Sequence, residues 1–127
     1  MSKNTLKIIS DAMSALGLEY SFGRYTKKHV VYPYFVGEYQ ETESVTEDGL
    51  QESTFLLTGF SRDTWLTLED AKERIALYFN RVSGKTVITD NGSAVAVFYA
   101  HSLIIPTEDA ELKRIQINLN IKEWTVN

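Results

Sequence analysis

The stretch Leu112–Trp124 constrains this chain most. Over it Ile115, Ile117, Leu119 and Ile121 alternate with Arg114, Gln116, Asn118, Asn120 and Lys122. Successive side chains of a strand point to opposite faces, so this period of two puts the aliphatic set on one face and the polar set on the other. A strand so written needs neighbours to pair with and an apolar layer over one face. The rest of the chain has to supply both.

Two segments have the spacing to form that layer. In 4–16, Leu6, Ile9, Met13 and Leu16 recur at helical intervals, with Asn4 a candidate N-cap and Gly17 a candidate C′ residue. In 67–82, Leu68, Ala71, Ile75, Tyr78, Phe79 and Val82 trace one helical face. Thr67 and Asp70 resemble a capping box, and Gly84 can close the helix. The strands come from the remaining segments. Residues 30–40 are β-branched and aromatic, with Pro33 marking a strand start, an edge or a bulge. Residues 52–61 pair with them as a hairpin. Thr86–Thr89 runs into the turn Asp90-Asn91-Gly92, and Ser93–Ile105 is apolar on both faces. The expected fold is α+β: one domain over residues 1–127, two helices on an antiparallel or mixed sheet, and a long acidic hairpin loop.

That loop needs a reason, because a two-residue turn would join the same strands. Glu38, Glu41, Glu43, Glu47, Asp48 and Glu52 crowd it without a single Lys or Arg. The chain carries 17 acidic and 13 basic residues; without those six the remainder is nearly neutral. Arg24, Lys27, Lys28 and His29 precede the segment as a local basic counterweight. The plain reading is a solvated loop. The sharper one is a surface that must not hold a polyanion.

Chemistry finds little to stand on. With no Cys, a disulfide framework, a thiolate nucleophile and Cys-ligated metals are excluded. The two histidines, His29 and His101, lack ligand spacing, and His101 reads as a structural residue of an apolar strand. Gly84-Lys85-Thr86 imitates the tail of a phosphate loop but follows a helix instead of preceding one, and Phe79 stands where its first glycine belongs. Ser61, Asp63 and His101 could be drawn as a triad, yet nothing marks Ser61 as an exposed nucleophile. The expectation is a protein without catalytic residues, metal or cofactor, and without a signal peptide or membrane span. A sequence pI near 5.2 argues against general nucleic-acid affinity. The aromatic density of Tyr20–Tyr39 fits a core, or a subunit interface.

In order, the chain offers an amphipathic helix Leu6–Leu16, the strand Tyr32-Pro33-Tyr34-Phe35-Val36-Gly37-Glu38, an acidic loop, the strand Phe55–Arg62, the helix Leu68–Val82 and a sheet closing on Ile115–Trp124. It resembles the tail terminator (tail completion) proteins of long-tailed phages and prophages. The resemblance implies a structural virion protein at the head-proximal end of the tail, assembled in the host cytoplasm. It implies a homohexameric ring that stops the tail tube, contacts the major tail tube protein and meets the head completion or connector protein, with DNA passing through unbound. Glu41, Glu43, Glu47, Asp48 and Glu52 would then face the channel. The candidates for the subunit interface are Tyr32, Tyr34 and Tyr39 on the aromatic segment, and Ile115, Ile117 and Trp124 on the alternating strand. The alternative is a small cellular α+β module that binds a ligand or a protein.

Overall fold

The computed structural model describes residues 2–41, 49–90 and 92–124. Two helices lie on one six-stranded mixed sheet that curves into a half-barrel, so the class is α+β as the patterning requires. The elements run α1 (Lys3–Ala15), β1 (Glu19–Phe22), β2 (Tyr34–Glu41), β3 (Leu50–Ser61), α2 (Trp65–Tyr78), β4 (Lys85–Ile88), β5 (Ala94–Ile104) and β6 (Lys113–Trp124). The sheet order is β1-β2-β3-β6-β5-β4. β1 runs parallel to β2, and every other neighbouring pair is antiparallel.

The register explains the core. Phe35 faces Gly59, Phe55 faces Leu119, Leu57 faces Ile117, and Ile121 faces Val97. Directly opposed residues share a face, so these form one apolar sheet surface. Ile9 and Met13 of α1 and Leu68 and Ile75 of α2 close it, all fully buried. Burying each such side chain is worth about 1.5–3 kcal/mol. Two glycines make the layer possible. A Cβ on Gly59 would sit 2.5 Å from the Phe35 ring, and one on Gly37 would sit 2.6 Å from the Phe55 ring. Each phenylalanine thus lies over the neighbouring strand's glycine, where any side chain would collide with it.

Helix boundaries differ from the sequence pattern in instructive ways. Ser2, not Asn4, caps α1: its Oγ accepts from the Thr5 amide at 3.2 Å. The Ser2 amide and the Thr5 hydroxyl both donate to Glu123, a buried carboxylate near the end of β6. Gly17 follows α1 at φ 71°, the conformation expected of a C′ glycine. α2 starts at Trp65 with Thr64 as N-cap, so Thr67 lies inside the first turn and forms no capping box with Asp70. It also stops at Tyr78. The Asn80 side chain accepts from the amides of Val82 and Ser83 at 2.8 and 3.0 Å, turning the chain off the helical path. Phe79 stays buried, whereas Val82 swings out to 87% exposure and is not part of the buried face.

Candidate functional site

The helices cover one face of the sheet and leave the other open. Along its middle, Thr58, Gln116, Asn118 and His101 follow one another across β3, β6 and β5. The Gln116 amide donates to Asn118 Oδ1 at 3.2 Å, and Asn118 Nδ2 lies 2.7 Å from His101 Nε2. His101 is exposed, its ring tied to Asn118 in the sheet; a bulge between Tyr99 and His101 shifts the register there. Short polar side chains held by one another make a polar stripe, with Asn118 buried at its middle.

Toward β1 that surface turns aromatic. Tyr34 stacks on Tyr25 at 4.3 Å and on Phe60 at 5.0 Å between ring centroids, with Tyr32 at 5.6 Å. The Val31 amide donates to the Tyr25 hydroxyl at 3.3 Å, and Arg62 Nε donates to the Tyr32 hydroxyl at 3.3 Å. Partial burial, then the neighbouring Tyr32 and Tyr25, raise the Tyr34 hydroxyl above the ordinary tyrosine range. Arg62 also reaches Asp109 at 2.8 Å. The Glu111 amide and then Arg62 hold the Asp109 carboxyl below its usual range. This cluster ties the β2 entry, the β3 exit and the β5–β6 connection into one corner.

Of the interface candidates, Tyr32, Tyr39 and Trp124 are exposed at 37%, 41% and 36%, and Tyr34 is half-buried. Ile115 and Ile117 are a correction. They are 1% and 0% exposed because β6 lies between β3 and β5 in mid-sheet, and its aliphatic face is the monomer's own core. Neither side chain is exposed on the monomer's surface. Period two correctly told which face of β6 is wet, but it carries no information on whether a strand lies at the centre or the edge.

The acidic hairpin is only partly described. Glu43, Glu47 and Asp48 lie outside the described residues. Glu41 ends β2 opposite Ser53, and Glu52 sits within β3 opposite Lys122, whose Nζ is 3.8 Å from Glu52 Oε1. Both are therefore strand residues at the root of the hairpin, and Glu52 does not belong to the loop. Ser61 is fully buried at the end of β3 and its Oγ accepts from the Asp63 amide at 3.0 Å, so it is a turn-forming hydroxyl and no nucleophile. Among the described residues no three His, Asp or Glu side chains gather as a metal site, and no helix is long and apolar enough to cross a membrane.

Two features had no sequence signal assigned to them. The first is the reciprocal Phe–Gly packing. The second is the distribution of exposed apolar residues: Phe22 on β1, Val30 and Val31 in the connection from β1 to β2, and Ile88, Leu103 and Ile104 along β4 and the free end of β5. All of these except Phe22, which lies in a mixed stretch before Gly23, sit in stretches that read as ordinary strand. Only the strand order turns them into the two ends of a sheet.

No protein-family model matches the chain, and no curated protein matches it. Seventeen chains of solved structures do. One belongs to a structure described as the virion of a native gene transfer agent (GTA) particle. It superposes with a TM-score of 0.66 at 10% identity, over 88% of this chain and 83% of that one. At that identity what the two share is the fold.

Proposed function

We propose that this chain is a non-enzymatic structural protein of a phage-like particle, and that within it the chain acts as a tail terminator. Copies join into a ring, a hexamer on the family resemblance, that ends the tail tube and presents a seat for the head completion or connector protein. The observation that carries the coarser part is the likeness in fold, over nearly the whole chain, to a chain of a gene transfer agent virion. The finer part rests on the order of elements and on the acidic hairpin. A bore that DNA must cross works best when it repels phosphate, and a ring multiplies the charge of each hairpin by the number of copies. Glu41, Glu43, Glu47, Asp48 and Glu52 supply that charge, with Glu52 tempered by Lys122. Tyr32 and Tyr34 on the aromatic corner, Tyr39 against Phe22, and Trp124 at the far end of β6 remain contact candidates.

Adding the purified protein to polymerising tail-tube subunits tests the reading. Capped, shortened tubes are expected; unchanged tube lengths at saturating protein would reject it. The quadruple variant Glu41→Gln, Glu43→Gln, Glu47→Gln, Asp48→Asn should fold and cap as the parent does, while DNA passage through assembled particles changes.

A further inference from the structure

We infer that the contact between copies is made by the two ends of the sheet: the β1 end of one copy against the β5 end of the next. This deepens the ring reading and rests on it. β4 pairs only with Ala94–Val97, so among the described residues Ala100–Ile104 has β6 on one side and no strand on the other. Leu103 and Ile104 are 45% and 58% exposed on that edge. At the opposite end, among the described residues, β1 pairs with β2 alone; Phe22 of β1 and Val30 and Val31 of the β1–β2 connection are about half exposed. An open sheet edge lined by aliphatic side chains is a liability in an isolated chain and a resource in an assembly.

Geometry and charge select a second copy as the occupant. A cyclic assembly needs two different patches that complement one another, and an open sheet has two different ends. The β1 end carries exposed Arg24 and Lys28, with Lys27 paired to Glu19. The connection after β5 carries exposed Glu108 and Glu111. Asp109 in the same connection is paired with Arg62 from the β3 exit, and the nearest cations of β6, Lys113 and Arg114, are directed onto the Glu111 and Pro106 carbonyls. Apolar surface thus meets apolar surface, and the exposed cations Arg24 and Lys28 meet the exposed carboxylates Glu108 and Glu111.

The absence of native cysteine gives a clean test. In the double variant Val31→Cys, Leu103→Cys, oxidation on tail tubes should give a ladder of covalent multimers ending at the ring. Each single variant alone should stay monomeric. A control double variant on the exposed face of α2, Leu66→Cys with Leu77→Cys, should give no ladder. As a second readout, Arg24→Glu with Lys28→Glu should cut capping about tenfold or more, as should Glu108→Lys with Glu111→Lys, and mixing the two variants should restore it. Tubes capped normally by the unmodified chain with no ladder from the 31/103 pair, or with a ladder from the control pair, would overturn the inference and leave the ring reading standing. If the unmodified chain fails to cap tubes, the ring reading itself fails and this contact falls with it.

Discussion

The two faces of this one sheet were built for different ends. On the covered face, Phe35, Phe55, Leu57, Ile117 and Leu119 interlock with both helices and are fully buried. On the open face, Thr58, Gln116, Asn118 and Asn120 occupy the alternate positions of the same strands, with Leu56, Phe98 and Leu103 opposite them and no helix above. The backbone is common to both, so the difference lies entirely in side chains. It teaches that stability is invested on one side, leaving the other side and the two sheet ends free to be shaped for contacts.

Substitutions on either face can break that contrast. The largest expected effect is Ile117→Ala, which opens a cavity where no neighbour can collapse and should cost about 2–5 kcal/mol in urea unfolding. Gly59→Ala comes next. Its Cβ would strike the Phe35 ring, and the forced repacking should cost about 1–3 kcal/mol in the same measurement. A loss below that range would show that Phe35 can yield and that the layer is looser than described.

Tyr20 sharpens the comparison through pH. Burial against the covered face pushes its hydroxyl up to about 12. The folded state therefore holds the phenol proton more tightly than the unfolded chain. The stability linked to it is complete below the ordinary tyrosine pKa of about 10 and is lost as pH rises toward the folded value. Alkaline unfolding followed by circular dichroism should show this loss, and Tyr20→Phe should remove it. The smallest effect is expected on the open face, where Gln116→Ala should change stability by about 0.5 kcal/mol or less. A cost of several kcal/mol there would mean that the polar stripe is structural and that the faces are not divided as argued.

Much of this division is written in the sequence. The alternation of Ile115–Ile121 with Arg114–Lys122 identified the buried and wet faces of β6, and helical spacing found both covering helices. Element ends were less legible because they depend on single side-chain contacts. Asn80 turns the chain and expels Val82, and Ser2 takes the capping role because Glu123, far along the chain, anchors its amide. Strand order was legible only between chain neighbours, as in the β2–β3 hairpin, and not where β6 inserts between β3 and β5. Nothing local to Ile117 says that β3 and β5 flank it, and nothing local to Leu103 says that β4 ends before reaching it. That is why Ile115 and Ile117 read as surface residues from sequence alone, and why the two sheet ends carry no local signal.

The central claim is that copies of this chain close into an annulus at the end of a tail tube. Electron microscopy of tubes grown with the protein tests it most directly. The account predicts a ring seated on one end of each tube, with an open bore and the β2–β3 hairpins directed toward it. Tubes with bare ends, or a bound assembly with no hole through it, would contradict it.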